Sequence, residues 1–333
     1  MDYTEHHYKG GTSMHISVLG CGRWGTFLAW YADHLGHEVT LWGRPGSRHL
    51  EELSQYRKNE YLTIPNSIAL STDLERVVAD ADICIISISA QQLRSFAKEL
   101  RHLTPTQTTK PFILCMKGLE IGTGKRLSTI MEEELGPDIP VAVWVGPGHV
   151  QDFTQGIPNC MVMASYSESL THTAIQALTS PLIRFYYGQD VMGIEIGAAA
   201  KNVVGIAAGM LDGANLTSLK GALMARGTHE LSVLIQTLGG NAMTVYGLSH
   251  LGDYEATLFS PYSNNRRFGE AFIKGQAFTK LAEGYYTTKA LLDMASPVGV
   301  ELPITSALYD ILYKKENPQA VLERLFLRRL KGE

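Results

Sequence analysis

Cysteine is sparse and unpatterned in this chain. Its four copies, Cys21, Cys84, Cys115 and Cys160, contain no CxxC pair and no metal-binding spacing. That speaks against a disulfide framework or a zinc site and suits free thiols in a reducing compartment. Charge is scarce as well. Asp, Glu, Lys and Arg make up 19% of the residues, and the formal net charge is −4. A general nucleic-acid binder needs a basic surface, which this balance does not supply. An anionic ligand would have to meet locally placed Lys and Arg. No apolar run reads as a membrane span, and no signal-peptide pattern is found. Internal repeats, low-complexity tracts and long linkers are missing too. Residues 1–13 are polar and aperiodic, and read as a disordered leader or an appended remnant. With 333 residues, 45% of them hydrophobic, there is ample material for one large or two medium domains.

What is present is concentrated in residues 15–44. A β-branched strand (His15–Leu19) runs into Gly20-Cys21-Gly22-Arg23-Trp24-Gly25, a helix bearing Phe27, Leu28, Trp30 and Tyr31 follows, and a second strand spans Glu38–Trp42. This order is that of a dinucleotide-binding unit. Gly20 permits a tight turn, Gly22 lets backbone approach a pyrophosphate, and Gly25 lets helix and strand pack closely. The helix N-terminus offers open N–H groups and a positive dipole end to phosphate. The glycines alone would also suit a turn in another α/β protein. Their place between strand and helix points to a nicotinamide or flavin nucleotide. The acid that commonly ends the second strand and binds a ribose 2′-hydroxyl is lacking. Trp42-Gly43-Arg44 stands there, with Ser47 and Arg48 beyond. That leans toward NADP or dual use, although Arg44 could equally stack on the adenine.

Strands and helices alternate to residue 150. Further strands are predicted at Ile83–Ile88, Phe112–Cys115 and Val141–Val145, with helices at Gln91–Leu100 and Lys125–Leu135. Short segments at Cys160–Ala164 and Arg184–Tyr187 could add strands. Beyond residue 190 strand signal disappears. Helices are predicted at Gly193–Leu211, Leu216–Leu238, Arg266–Lys274, Tyr285–Met294, Ile304–Leu312 and Pro318–Leu330. The expected fold is α/β: a doubly wound Rossmann-type parallel sheet over residues 14–192, then an all-helical substrate domain over 193–333, with a ligand cleft between them.

Four constellations compete for the chemistry. Lys117, in Cys115-Met116-Lys117-Gly118-Leu119-Glu120, follows a predicted strand end, where ligands bind in such sheets; a solvated loop lysine is the equal alternative. Lys201 and Asn202 interrupt a helix of small and apolar residues. A lysine there must be exposed, paired or functional, and a partly buried one has a lowered pKa suited to acid–base work. Asp253, in Gly247-Leu248-Ser249-His250-Leu251-Gly252-Asp253-Tyr254, could cap a helix or pair with Lys201, with Thr257 one turn on. Ser263-Asn264-Asn265-Arg266-Arg267 could be an anion site or simply a capped helix with solvated arginines.

Together these segments resemble the NAD(P)-dependent sn-glycerol-3-phosphate dehydrogenase family over residues 15–330. GCGRWGTFLA resembles its GxGxWGTxLA, MKGLE its (S/T)KG(L/I)E, and GPGH its GPSF. GIEIGAAAKNVVGIAAGM is similar to GxELGGALKNVxAIAAGI, GLSHLGDYEAT to GLSGLGDLxxT, SNNRRFG to SRNRRFG, and AEGYYTTK to VEGxxT. The resemblance implies reduction of dihydroxyacetone phosphate by NAD(P)H for phospholipid synthesis, in the cytoplasm, as a homodimer. It implies Lys201 as proton donor with Asp253 beside it and Lys117 in support. It implies nucleotide contacts from Gly20, Gly22, Arg23, Trp24, Gly25, Arg44, Lys117, Val150, Asn264 and Glu283. Substrate contacts would come from Lys117, Gly146, Gly148, Lys201, Asn202, Asp253, Thr257, Ser263, Asn264 and Asn265. No metal is implied.

Three departures flank the substrate end. Asn264 replaces an Arg that contributes phosphate or cofactor binding in the family, Gly148-His149 replaces Ser-Phe, and Met116 replaces a Ser or Thr. They keep open a dehydrogenase of another small phosphorylated or phosphonylated keto or hydroxy compound. A nucleotide-binding regulator without turnover is the reading from another class; it would have no need for a buried Lys–Asp pair.

Overall fold

The computed structural model describes residues 12–103 and 110–328. The leader up to residue 11 lies outside the described residues, as does the end of the last predicted helix, Arg329–Leu330. The chain divides into two units. One comprises residues up to Met116 together with Leu127–Val191; the other comprises Lys117–Arg126 and the chain from Met192 onward.

Eight strands form the sheet of the first unit: β1 (His15–Leu19), β2 (Glu38–Trp42), β3 (Ala69–Ser71), β4 (Ile83–Ile86), β5 (Phe112–Leu114), β6 (Val141–Val145), β7 (Asn159–Ser165) and β8 (Ile183–Gly188). Their order is β3-β2-β1-β4-β5-β6-β7-β8. All neighbours are parallel except β6 and β7. The helices around it are α1 (Arg23–His34), α2 (Arg48–Tyr56), α3 (Leu74–Asp80), α4 (Leu93–Arg101), α5 (Leu127–Leu135), α6 (Val150–Thr154) and α7 (Glu168–Leu178).

The central strands β1, β4, β5 and β6 are almost wholly buried because both of their faces are covered, whereas β3 and β8 at the edges are partly exposed. Side chains alternate between faces. Ile16, Val18, Ile83 and Ile85 join α1 residues Phe27, Leu28 and Tyr31 in one core. Leu19, Cys84, Ile86 and Leu114 join Val77, Phe96 and Ile130 in the other. The predicted doubly wound sheet is thus found, with several ends shifted. β4 stops at Ile86 and β5 at Leu114, and α5 begins at Leu127 rather than Lys125.

The second unit is built on α8 (Val191–Gly213), with α9 (Lys220–Thr237), α10 (Asn264–Ile273), α11 (Glu283–Ala295), α12 (Pro303–Leu312) and α13 (Pro318–Phe326). Ile196, Ala199, Val203 and Ile206 of α8 lie in its core with Leu231, Leu291 and Leu308. By length and composition α8 could cross a membrane, contrary to the sequence reading that no run is long enough. Yet 89% of its apolar window is buried within the protein, as befits a core helix.

Small residues on α8 and its neighbours bring backbones together. A Cβ at Gly209 would strike the Arg266 carbonyl, one at Gly269 the Ile206 carbonyl, and one at Gly284 the Asn202 carbonyl. The N-terminal ends of α10 and α11 therefore lie directly on α8.

The expected boundary at 192/193 needs one correction. Lys117–Arg126 belongs with the helices, not the sheet. Leu119 is fully buried in the helical core. A bridge between Leu119 and Arg126 closes the segment, and Arg126 pairs with Glu195 of α8 at 2.7 Å. Gly124 packs on the backbone of α11 at Met294.

Candidate active site

The glycine loop of the first unit is shaped for phosphate. Gly20 has φ +120, and a Cβ there would strike the Ser87 carbonyl; a Cβ on Gly25 would strike the Gly20 carbonyl. Both positions are closed to any side chain. Gly22 faces open space, with nothing within 4 Å of its Cβ position. It is the N-cap of α1, which has no side-chain cap and no acid in its first turn. The leading N–H groups of a 12-residue helix are thus left for an external acceptor. These residues fit a dinucleotide pyrophosphate.

The other expected nucleotide residues are placed less uniformly. The Arg23 guanidinium lies over the Tyr61 ring, 5.6 Å from its centroid. Trp24 packs among aromatics, 5.0 Å from Phe27 and 6.2 Å from Phe153. Arg44 is exposed and donates to Gln92 Oε1 at 3.2 Å. Val150 is buried in the core at the start of α6, so only its backbone could meet a ligand. Gly146 and Gly148 have φ +137 and +136. A Cβ on Gly148 would enter the Phe153 ring, so the serine of the resemblance has no room here. Met116 is buried in the sheet core, which accounts for its lost hydroxyl as packing. His149 is the N-cap residue of α6.

The second unit gathers the ionisable groups. Asp253 is 1% exposed, and one carboxylate oxygen meets two ammonium groups. Lys117 Nζ lies 2.9 Å away, and Lys201 Nζ is in direct hydrogen-bonding contact. Lys201 Nζ also donates to Thr257 Oγ1 at 2.8 Å. Burial pushes the Lys201 ammonium down to about 7; Asp253 opposes that shift and Lys117 adds to it. Asp253 is therefore an ion-pair partner rather than a helix cap. The turn after it, capped at Tyr254, has no side-chain cap bond.

Asparagines tie the surrounding elements together. Asn202 Nδ2 donates to the Lys117 carbonyl at 2.9 Å, and Asn265 Nδ2 donates to Asn202 Oδ1 at 3.0 Å. The Gly284 N–H donates to Asn265 Oδ1 at 2.9 Å. One ladder thus links the Lys117 segment, α8, α10 and α11, with Glu283 beside its end as the first residue of α11.

The Ser263–Arg267 segment is mainly structural. Ser263 caps α10 by accepting from the Arg266 N–H at 3.3 Å. Asn264 Nδ2 donates to the Leu281 carbonyl at 3.2 Å. Arg266 is held by Asp212 and Glu270 at 2.9 and 3.0 Å, and Arg267 lies over Phe278, 5.9 Å from the ring centroid. Arg226 lies in the wall of an apolar groove of about 1310 Å³ beside α9, α12 and α13, which is not this cluster.

Sequence reasoning missed one group of residues. His250 is fully buried, with Nδ1 2.9 Å from the Gly197 carbonyl oxygen and Nε2 2.7 Å from the Tyr254 hydroxyl. The signal was available: His250 and Tyr254 stand where the resembled GLSGLGDL segment has Gly and Leu.

Comparison with known proteins adds the following. The profile for the N-terminus of NAD-dependent glycerol-3-phosphate dehydrogenase matches residues 15–171, and the one for its C-terminus matches residues 190–323. A glycerol-3-phosphate dehydrogenase (NAD(P)+) of Rhodopseudomonas palustris is 38% identical over 328 residues, covering 96% of this chain and 98% of the relative. One from Chlorobium phaeobacteroides is 36% identical over 335 residues, covering 96% and 99%. A crystal structure of glycerol-3-phosphate dehydrogenase from Coxiella burnetii superposes with a TM-score of 0.88 at 28% identity, covering 95% of this chain and 99% of that one.

Proposed function

This chain belongs to the NAD-dependent glycerol-3-phosphate dehydrogenase family, and from that premise we propose that it interconverts dihydroxyacetone phosphate and sn-glycerol 3-phosphate, with Lys201 as the proton donor. A single observation carries the residue roles. A buried ammonium with a pKa near 7 is held by a carboxylate and a hydroxyl, so it can give or take a proton near neutrality.

Gly20, Gly22, Arg23, Gly25 and Arg44 would hold the nucleotide, which when bound would supply a hydride for C2. As C2 is reduced, its oxygen takes a proton from Lys201 Nζ, and Lys201 is left neutral. In the reverse direction neutral Lys201 removes the hydroxyl proton. Lys117 supplies a second positive charge, and Asp253 balances one of the two, so the cluster keeps a net charge of +1 toward the carbonyl oxygen. Thr257 fixes the Lys201 ammonium, and Asn202 and Asn265 hold the elements that carry it. Neither NADP nor NAD is excluded at the end of β2; the Arg44 guanidinium there favours NADPH or dual use. Family resemblance also supports a cytoplasmic homodimer.

One observation favours a related substrate. Asn264 stands in place of the resembled Arg and spends an amide hydrogen on Leu281, while Arg266 and Arg267 are engaged elsewhere. Loss of a charge-assisted bond to phosphate costs about 1.5–3 kcal/mol, or roughly 10–150-fold in affinity. The test is steady-state oxidation of NADPH and NADH with dihydroxyacetone phosphate and with phosphorylated and phosphonylated analogues, for the parent and Asn264→Arg. A weakened site predicts a lower KM for dihydroxyacetone phosphate in Asn264→Arg. A rebuilt one predicts an analogue preferred by the parent and lost in the variant.

A further inference from the structure

His250 and Tyr254 are buried beside the Lys–Asp cluster, and the proposed reaction gives them no task. Their hydrogen-bond string can be read atom by atom. The Gly197 carbonyl only accepts, so His250 Nδ1 carries the ring hydrogen. Nε2 is then an acceptor and takes the Tyr254 hydroxyl hydrogen at 2.7 Å. Tyr254 in turn accepts from Thr228 Oγ1 at 3.4 Å. Of the two neutral tautomers, only the one with hydrogen on Nδ1 satisfies all three partners. Burial pushes the imidazole down to about 4, so this form holds at neutral pH.

The string is not a proton path to Lys201. It ends on a peptide carbonyl, which has no proton to pass on. Its ends are instead positions in the fold. Gly197 lies one turn before Lys201 on α8, and His250 lies in the turn that carries Asp253. Tyr254 follows Asp253 directly, and Thr228 anchors the string to α9. A Cβ on Gly197 would come within 3.1 Å of His250 Cβ, so the histidine packs against the α8 backbone itself. The charged groups that act on the ring are Lys201 and Asp253, with opposite effect; Glu230 acts on Tyr254 from α9.

We propose that His250 and Tyr254 form a positioning bridge: a neutral, single-tautomer link that pins the Asp253 turn to α8 and so sets the Lys201–Asp253 contact. Its kinetic consequence rests on the reading of Lys201 as proton donor; its structural consequence does not. A reacting group displaced by about 1 Å can lose roughly 10²-fold in rate, so a hydrogen-bonded bridge at this place bears on turnover without touching substrate.

The deciding variant is Tyr254→Phe, which removes one hydroxyl and keeps the ring. The deciding measurement is titration of the Lys201 ammonium by ¹⁵N NMR in the ligand-free protein. The Lys201 midpoint is expected to fall below about 7, because the Asp253 contact that raises it is loosened. A midpoint unmoved or raised in Tyr254→Phe overturns the bridge. Alongside, kcat should fall ~10-fold with KM and nucleotide affinity within about twofold, because the bridge positions Lys201 and does not bind ligand. His250→Asn, which keeps a donor for the Gly197 carbonyl, should retain more activity than His250→Leu. If the parent turns over no keto phosphate, the proposed reaction fails, and the Lys201 titration still decides the bridge.

Discussion

Lys201 carries three ammonium hydrogens, and Asp253 and Thr257 accept two of them. The third is left for a substrate oxygen. Lys201→Ala should therefore lower kcat by about 10²–10⁴-fold, the usual range for a positioned proton donor, with nucleotide binding by fluorescence titration nearly unchanged. A kcat within tenfold of the parent would remove Lys201 from the mechanism. The pH dependence has a definite sign. Reduction needs the protonated amine, so its kcat should fall as pH rises through about 7; oxidation needs the neutral amine, so its kcat should rise there. Asp253→Asn leaves two lysine ammonium groups facing each other without a counter-charge. Lys201 should then lose its proton at still lower pH, and reduction at neutral pH should collapse while oxidation suffers less. Equal losses in both directions would mean that Asp253 acts only in folding.

At the scale of elements, Glu230 on α9 offers a test of stability. Its carboxylate accepts from the Ile304 and Thr305 N–H groups at 2.9 and 3.2 Å and from Thr305 Oγ1 at 2.8 Å. It thus caps α12, whose own N-cap residue, Leu302, cannot. Burial raises this carboxyl from 4.5 to about 7. Between those values the folded protein holds a proton that the unfolded chain has released. Stability should thus be greatest below the lower value and fall as pH rises toward the higher one, by at most about 1.4 kcal/mol per pH unit. Glu230→Gln lacks that slope. Its melting temperature relative to the parent should climb between pH 5 and 8, and a constant difference would contradict the raised pKa. Elements also show what sequence periodicity conveys. β1, β2 and β6 are strongly apolar or β-branched and match their predicted ends. β3 has three residues, too few for a period. α2 buries only Leu50 and Leu53, so its apolar stripe is almost invisible, and it was missed. The reversal of β7 against β6 is a matter of tertiary pairing that local pattern does not encode.

For the whole molecule, motif spacing made Lys117, Lys201 and Asp253 candidates, and the family resemblance gave them roles, but neither could show that one carboxylate oxygen serves both lysines. Nor could it show that His250 links their supports, because hydrogen bonds between elements distant in sequence leave no period. The glycine loop was legible because its backbone demands are local. At the nucleotide end, Arg44→Asp should shift preference toward NADH by supplying an acceptor for a ribose 2′-hydroxyl and removing a cation. The ratio of kcat/KM for NADPH to that for NADH measures the shift, and a parent already selective for NADH would contradict the role given to Arg44.

The placement of Lys117–Arg126 among the helices bears on how such a protein can be cut, shuffled or inherited. The chain leaves the sheet unit after Met116, returns at Leu127 and departs again after Val191, so the helical unit is discontinuous in sequence. A fragment beginning at residue 192 would hold Lys201 and Asp253 but not Lys117 or the buried Leu119. A chimera joined at that junction would mate one parent's Lys117 loop with another's α8 and asparagine ladder. Such recombinants should survive only where both parents agree at Lys117, Leu119, Arg126, Glu195 and Asn202. Gene fusion at the apparent domain boundary is thus constrained by a ten-residue loop encoded far upstream of it.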